Sequence, residues 1–178
     1  MFIRFIRAAL TLSLAATLSI PVIGQVTKQE MPGIRNYSRV DATVGCGGAT
    51  DPSAMAGLKK EGFASVINLR LATETGANVE AGRAAARAAG LKYIHLPFDA
   101  AMPDPKAVDS FLVAVADPAN QPVYIHCGSA NRVGGVWMIK RVLRDGWPAE
   151  KALVEARAIG LTSPAITAFA TEYISSHR

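Results

Sequence analysis

One short segment carries the residue types of a covalent catalytic site. Residues 126–134 read His-Cys-Gly-Ser-Ala-Asn-Arg-Val-Gly and follow directly on the apolar run 123–125. A buried strand that ends in a cysteine and turns through small residues towards an arginine at a helix start places a sulfur beside several backbone N–H groups. Such N–H groups hold an oxyanion while the sulfur attacks it. The segment therefore predicts cysteine-dependent covalent chemistry on an anionic substrate.

The spacing inside this segment leaves two reactions open. Four residues separate Cys127 from Arg132, namely Gly128, Ser129, Ala130 and Asn131. Cysteine phosphatases of the tyrosine and dual-specificity type carry five residues there, whereas rhodanese-type sulfurtransferases carry four. The short loop alone favours sulfur transfer, so the rest of the chain has to decide.

Three side chains are predicted to be catalytic. Cys127 is the nucleophile, and Arg132 grips two oxyanion oxygens with its planar fork. Asp99 follows the apolar end of a predicted strand and is the candidate general acid, with Asp104 as the second candidate. A phosphatase needs an acid to protonate its leaving oxygen, and a persulfide transfer does not. Asp104 also suits the alternative role of a helix cap.

The other residues of the loop are predicted to bind the substrate or to shape the turn. A core position is an equal alternative for the histidine, and turn fixation is the favoured alternative for the serine and the asparagine. The residues concerned are His126, Gly128, Ser129, Ala130 and Asn131.

Arg70 and Glu74 are predicted to form an ion pair that fixes a loop at the same sheet edge, with Arg70 facing the cleft as the alternative.

The elements around these residues indicate an α/β domain. Apolar runs alternate with helical patterns through the first two thirds of the chain, and helices fill the last third. This order predicts three layers, with a mostly parallel central sheet and helices on both faces. Strands are expected at 37–44, 63–69, 91–98 and 123–126, and helices after 51 and at 80–89, 106–116, 132–144, 148–159 and 164–175.

Cys46 lies in the run Gly45-Cys46-Gly47-Gly48, which predicts a tight turn after the first strand. Such turns gather at the carboxyl edge of an open sheet, where Cys127 is also expected. A reversible disulfide between the two is therefore conceivable, and the alternative is a small residue in a turn. A permanent bond would silence Cys127.

The amino terminus has the order of a secretory signal peptide: Arg4 and Arg7, an apolar run over 8–20, then small residues. We predict a signal peptide over 1–24, a polar lead-in arm over 25–36 and one domain over 37–178, periplasmic or secreted and free of the membrane after cleavage. The chain carries a formal net charge of +5 with scattered cations. Scattered cations argue against nucleic acid as a partner. No spacing typical of a metal site and no cofactor motif is present.

Three blocks in order resemble the phosphatase-like domain of beta-lactamase-hydrolase-like proteins. They are Phe-Ala-Ser-Val-Ile-Asn-Leu-Arg over 63–70 with Glu74, Ala-Gly-Leu-Lys-Tyr-Ile-His-Leu-Pro-Phe over 89–98, and the Cys127 loop. The resemblance spans about 36–175 and implies a fold similar to that of dual-specificity phosphatases. Members of this family have been regarded as phosphatases and as sulfur transferases.

Two residues depart from the family pattern. Ala130 stands where many relatives have glycine, and a Cβ there is strained if the loop needs a positive φ. Val133 stands where relatives have a hydroxyl that helps the thiolate leave, so slower breakdown of the intermediate is expected. The sequence predicts a metal-free cysteine phosphatase acting on a phosphorylated anion. A sulfurtransferase acting on a sulfur-containing anion and an anion-binding pseudophosphatase are the alternatives.

Overall fold

The computed structural model describes residues 26–178. The predicted signal peptide over 1–24 lies outside the described residues. Among the helices of residues 26–178, none is both long and apolar enough to cross a membrane.

A sheet of six strands forms the centre of the described chain. The strands are β1 Thr27–Lys28, β2 Ser38–Arg39, β3 Val44–Gly47, β4 Ser65–Asn68, β5 Lys92–His95 and β6 Val123–His126. Their order across the sheet is β1-β2-β3-β6-β4-β5. Strands β3, β6, β4 and β5 are parallel, and β1 and β2 add an antiparallel edge. The strand that precedes the cysteine is thus central, with a parallel neighbour on each side.

Helices cover both faces of this sheet, as the sequence predicts. They are α1 Met55–Lys60, α2 Val79–Ala88, α3 Pro105–Ala116, α4 Asn131–Leu143, α5 Ala149–Ile159 and α6 Pro164–Ser176. Buried side chains of α1 and α2 pack on one face, and those of α3 to α6 pack on the other. The predicted three-layer α/β architecture with a mostly parallel sheet is confirmed.

Short polar side chains fix where several helices begin. Asp104 accepts a hydrogen bond from the Lys106 N–H at 2.9 Å and caps α3, with proline at the first helical position. Asp51 likewise accepts from the Ser53 N–H at 2.8 Å, ahead of a 3-10 turn that leads into α1. The predicted alternative role of Asp104 as a helix cap is therefore what the structure shows.

The prediction of one strand over 37–44 and a turn over 45–48 is wrong. Two strands, β2 and β3, form a hairpin whose turn is fixed by Asp41, which accepts hydrogen bonds from the Thr43 N–H and Oγ1 at 2.8 Å. The glycines lie inside β3 because aromatic rings lie against that strand. A Cβ on Gly45 would come within 2.5 Å of the Phe63 ring. The glycines that suggested a turn are there for close packing, and Cys46 is a strand residue.

The predicted lead-in arm is part of the folded unit. Its first described residues form β1, which pairs with β2. Lys28 Nζ donates to the Ile159 carbonyl at 2.8 Å, and the Asn36 amide donates to the Ser129 carbonyl at 3.3 Å. The second contact brings the arm to the loop that follows Cys127.

Candidate active site

Cys127 is fixed at the centre of the carboxyl edge of the sheet. It follows β6 directly, and its N–H donates to the Gly47 carbonyl at 3.3 Å on one side. On the other side the Leu69 N–H donates to the His126 carbonyl at 2.9 Å. The residue is fully buried, and its thiol is free. Ligand sites of open α/β sheets lie at this edge.

The loop after Cys127 contains the strained residue that the sequence predicts. Ala130 has φ 74° and ψ −2°, in the left-handed region, and α4 begins at the next residue. Its side chain is fully buried, and a Cβ added to Gly160 would lie 2.8 Å from the Ala130 Cβ. The absence of a side chain at Gly160 therefore makes room for Ala130. A non-glycine residue held in this region costs about 1–2 kcal/mol.

Carbonyl groups of the loop accept hydrogen bonds from neighbouring segments, whereas its N–H groups are free to bind a ligand. The Gly128 carbonyl accepts from the Ala49 N–H at 2.9 Å, and the Ser129 carbonyl accepts from the Asn36 amide. Within residues 26–178, the backbone N–H groups of 128–132 have no hydrogen-bond acceptor. A loop of free N–H groups at a helix N-terminus binds anions.

Arg132 is held rigidly from three sides. Its Nη1 donates to Glu74 Oε1 at 2.5 Å, to the Phe98 carbonyl at 3.1 Å and to the Leu69 carbonyl at 3.2 Å. Its Nη2 donates to Glu74 Oε2 at 2.8 Å, which completes a two-pronged pair.

These bonds leave Nε and one N–H of Nη2 of the guanidinium for a ligand. A Cβ on Gly128 would lie 3.4 Å from Nη2, so this edge of Arg132 lies over the loop. Only 9% of the arginine is exposed.

The carboxylate of Glu74 and the guanidinium of Arg132 stabilise each other's charge. Burial disfavours the Glu74 carboxylate, but hydrogen bonds from Arg132, the Leu71 N–H and Arg70 outweigh it and lower the Glu74 pKa to about 2. Burial also disfavours the Arg132 cation, but Glu74 and the nearby Cys127 sulfur outweigh it and raise the Arg132 pKa. Both groups are therefore charged throughout the neutral pH range.

The contact between Glu74 and Arg132 is the feature of the candidate site that the sequence does not predict. The sequence pairs Glu74 only with Arg70, four residues away, as a loop-fixing ion pair. Its second partner lies 58 residues further along the chain. No local signal in the sequence connects these two positions.

Arg70 fixes the loop that carries Glu74. Its Nε donates to Glu74 Oε2 at 3.1 Å, and its two Nη groups donate to the Gly76 and Thr75 carbonyls, each at 2.7 Å. All three guanidinium nitrogens of Arg70 thus donate hydrogen bonds to the loop after β4. The predicted loop-fixing ion pair is confirmed, and the alternative of Arg70 facing the cleft is wrong.

The loop that carries Asp99 is tied directly to Arg132. The carbonyl of the preceding residue, Phe98, accepts from Arg132, and the Phe98 N–H donates to the Leu69 carbonyl at 3.1 Å. Asp99 is half-buried and accepts from the Ala101 N–H at 2.8 Å through one oxygen. The structure thus brings the segment of Asp99 to the site, and its role as general acid stays a prediction.

Asn131 shapes the loop through contacts on its outer side. Its Oδ1 accepts from the Thr162 and Ser163 N–H groups, both at 2.7 Å, and its Nδ2 donates to Ser129 Oγ at 3.3 Å. These contacts tie the start of α4 to the segment between α5 and α6. They correspond to the predicted alternative of turn fixation.

His126 is a buried, neutral imidazole. Burial and the nearby Arg70 charge lower its pKa to about 3, against weaker opposing effects of the Cys127 and Gly48 backbone. Its ring stacks on Tyr124, with centroids 5.7 Å apart and an interplanar angle of 9°. Neither ring nitrogen has a hydrogen-bond partner of good geometry within residues 26–178. The core position that the sequence allowed is where the structure places it.

Cys46 is a second buried free thiol on the neighbouring strand. It lies opposite Ile125 in the parallel register of β3 and β6. Burial, with smaller effects of Glu155, Asp41 and Cys127, raises its pKa well above the usual value. A thiol of this kind is a poor nucleophile at neutral pH.

Val133 is fully buried in the core beneath the loop. It offers no hydroxyl to the sulfur of Cys127. Within residues 26–178, no group of three or more histidine, cysteine or acidic side chains is arranged to hold a metal ion.

The fold around this site is that of the cysteine phosphatases. A DUF442 phosphatase from Shewanella putrefaciens CN-32 superimposes with a TM-score of 0.71 at 21% identity, covering 83% of this chain and 96% of that chain. TpbA of P. aeruginosa gives a TM-score of 0.66 at 22% identity, covering 89% and 94%. The catalytic core of the PP-IP phosphatase Siw14 from S. cerevisiae gives 0.65 at 19%, covering 84% and 89%.

The chain belongs to the family described as beta-lactamase hydrolase-like protein, phosphatase-like domain. The family's sequence profile matches residues 38–144, from β2 to the end of α4. The family predicted from the three sequence blocks is confirmed. No curated protein sequence matches the chain.

Proposed function

We propose that this protein is a cysteine-dependent phosphatase that hydrolyses phosphate monoesters through a phosphocysteine intermediate. The proposal rests on the fixed position of the Arg132 guanidinium. Glu74 and two backbone carbonyls fix this arginine so that its remaining N–H groups lie over a loop whose own N–H groups are free. A trigonal phosphoryl group that carries negative charge fits such a cradle.

The first chemical step transfers the phosphoryl group to sulfur. The Cys127 thiolate attacks phosphorus, the S–P bond forms and the P–O bond to the leaving group breaks. Arg132 and the loop N–H groups hold the three phosphoryl oxygens. Asp99 gives its proton to the leaving oxygen, so the departing group is a neutral alcohol or phenol.

The second step returns the enzyme to its starting state. Water attacks phosphorus, the Asp99 carboxylate accepts a proton from it, and the Cys127 thiolate leaves. Val133 supplies no hydroxyl to stabilise that thiolate. We therefore expect breakdown of the intermediate to be the slower step.

Two structural neighbours support a phosphorylated substrate. TpbA has been crystallised with pTyr, and Siw14 is a PP-IP phosphatase. Their substrates share a phosphoryl group that carries negative charge, which is the group that Arg132 and the loop would bind here.

The direct test is hydrolysis of an aryl phosphate by purified protein. We expect turnover by the wild type, background rates for Cys127→Ser, and near wild-type rates for the control Cys46→Ser. Equal rates for wild type and Cys127→Ser would exclude the proposal. Phosphate binding without hydrolysis would indicate an anion-binding pseudophosphatase.

Sulfur transfer is the second candidate function, and the four-residue loop is the observation that favours it. In that reaction the Cys127 thiolate attacks the outer sulfur of a donor such as thiosulfate, and sulfite leaves. An acceptor thiolate then attacks the outer sulfur of the persulfide and releases the Cys127 thiolate. Intact-mass analysis after treatment with thiosulfate tests it. One added sulfur atom on Cys127, absent from Cys127→Ser, would support this candidate over hydrolysis.

We also propose that the protein is exported. The order of charged, apolar and small residues over 1–24 supports export. Expression of the full chain in a Gram-negative host and terminal sequencing of the periplasmic fraction tests the proposal, with Gln25 expected as the first residue. Recovery of uncleaved chain in the cytoplasm would contradict it.

A further inference from the structure

A second segment of the chain packs against the Cys127 loop on the β3 side. The Gly48 N–H donates to the Arg35 carbonyl at 2.7 Å, and the Arg35 N–H donates to the Ala49 carbonyl at 2.9 Å. The Ala49 N–H in turn donates to the Gly128 carbonyl. A Cβ on Gly48 would lie 3.1 Å from the carbonyl oxygens of both Arg35 and Gly128. The backbone of Arg35 is thus fixed close to the anion-binding loop.

The side chain of Arg35 starts from this fixed backbone beside the loop and is a free cation. Its neighbour Ile34 packs inwards, so that a Cβ on Gly47 would lie 2.9 Å from Ile34 Cγ2, and the next residue, Asn36, donates to the Ser129 carbonyl. Arg35 between them is exposed. Within residues 26–178 its guanidinium forms neither an ion pair nor a hydrogen bond. Asp51, which contacts this segment, turns its carboxylate to the Ser53 N–H.

This free cation contrasts with the other two arginines of the site. Arg70 and Arg132 share the single carboxylate of Glu74 and are tied to backbone carbonyls. Arg35 also lies on the opposite side of the loop from Asp99. The loop that carries Asp99 follows β5, whereas the Arg35 segment packs on the end of β3. Strand β6, which leads to Cys127, lies between β3 and β5 in the sheet. The Asp99 segment and the Arg35 segment therefore lie on opposite sides of the loop.

We infer that Arg35 binds a second anionic group on the substrate, a phosphate or a carboxylate. The inference rests on the proposed phosphatase function and names its substrate class: phosphate monoesters that carry a further anionic group beside the scissile one. An unpaired guanidinium matches the geometry of either group, since both accept its two parallel N–H bonds.

Kinetics with three substrates of the same leaving-group type test the inference. Phenyl phosphate has no second anion, 3-carboxyphenyl phosphate has a carboxylate, and 1,3-phenylene bisphosphate has a second phosphate. We expect the wild type to prefer one or both substituted substrates by about 10-fold or more in kcat/KM, mainly through KM. Arg35→Gln should lose that preference and keep the wild-type kcat for phenyl phosphate.

The matched control is Arg87→Gln, which removes the same charge from an exposed position on α2. This variant should keep the preference for substrates with a second anion, because Arg87 lies in the helix layer away from the Cys127 loop. Arg35→Lys should restore part of it, since lysine keeps the charge and loses the fork. Thermal unfolding of each variant verifies that its fold is intact.

The outcomes separate this inference from the proposed function. Equal kcat/KM for all three substrates in the wild type, or a preference that persists in Arg35→Gln, would overturn the role of Arg35 and leave the phosphatase intact. If the wild type hydrolyses none of them, the phosphatase fails. Calorimetry on Cys127→Ser then decides the role of Arg35: tighter binding of the bisphosphate than of phenyl phosphate, lost with Arg35→Gln, would support it, and equal binding would refute it.

Discussion

Glu74 determines where the guanidinium of Arg132 lies. The Glu74→Gln variant keeps the shape of the side chain but loses the charge and one of the two parallel acceptors. We expect kcat/KM for an aryl phosphate to fall by about 10–100-fold, because a small displacement of a positioned group costs that much. The affinity for inorganic phosphate should fall as well, since the same arginine binds it.

The control for Glu74 is Glu80→Gln, which removes an exposed ion pair with Arg83 on α2. This variant should match the wild type in both measurements. Wild-type activity in Glu74→Gln, with an intact fold, would show that Arg132 holds its position without the carboxylate.

The lowered pKa of Glu74 makes the stability of the protein depend on pH. The pKa of Glu74 is about 2 in the folded protein and about 4.5 in its ordinary state, so the folded protein favours the carboxylate. Its contribution to the free energy of unfolding is complete above about pH 4.5 and is lost as the pH falls towards 2.

Denaturant unfolding at several pH values measures this contribution. The difference between wild type and Glu74→Gln should be constant near neutral pH and shrink steadily below pH 4.5. A difference that does not change with pH would contradict the depressed pKa.

The proposed role of Asp99 as general acid matters most for substrates whose leaving oxygen needs a proton. The Asp99→Asn variant should lose about 10²-fold or more in kcat/KM, which reports the first step, for phenyl phosphate and little for p-nitrophenyl phosphate, whose leaving group needs no proton. Asp104→Asn is the control, because Asp104 caps α3. Equal losses on both substrates would assign Asp99 a structural role.

At the scale of elements, the segment between α5 and α6 supports the loop after Cys127. Gly160 has φ 147°, and a Cβ on it would meet the Ala130 Cβ at 2.8 Å. Gly160→Ala should therefore destabilise the protein by about 1–3 kcal/mol and lower activity beyond that loss, because the clash displaces the loop. Activity at a temperature where the variant is folded, together with denaturant unfolding, checks both effects.

Gly146→Ala is the matched control for this substitution. Gly146 also has a positive φ, 69°, but a Cβ on it would meet nothing within 4 Å. Gly146→Ala should lower the free energy of unfolding by about 1 kcal/mol and leave activity unchanged. Parallel losses of activity in the two variants would show that Gly160 does not act through the loop.

Most elements could be predicted because their patterns are local. Helical spacing, proline after a capping residue and apolar runs place α3, β6 and α6 within a residue or two of the observed bounds. The hairpin of β2 and β3 could not be predicted in the same way. Its glycines are required by the rings of Phe63, just before β4, and Tyr124 in β6, and no local pattern distinguishes them from turn glycines.

At the scale of the whole molecule, the sheet order brings distant segments of the chain to one edge. The loops after β3, β4, β5 and β6 meet at Cys127 and Arg132, with the arm and the start of α6 completing the ring. The proposed nucleophile Cys127 and Arg132 come from one contiguous motif, so their proximity could be predicted. Their supports, Glu74 and Asn36, could not, because each is joined to the motif only by the tertiary fold.

Trapping of the covalent intermediate shows directly whether Cys127 accepts the phosphoryl group. Protein is mixed with an aryl phosphate, quenched in acid within the first turnover and again in steady state, and mapped by mass spectrometry. One phosphoryl group is expected on Cys127, and its steady-state level should be higher in the wild type than in Val133→Ser, whose hydroxyl speeds breakdown. A phosphoryl group on another residue, or hydrolysis with no modified Cys127 at any quench time, would contradict the phosphocysteine mechanism.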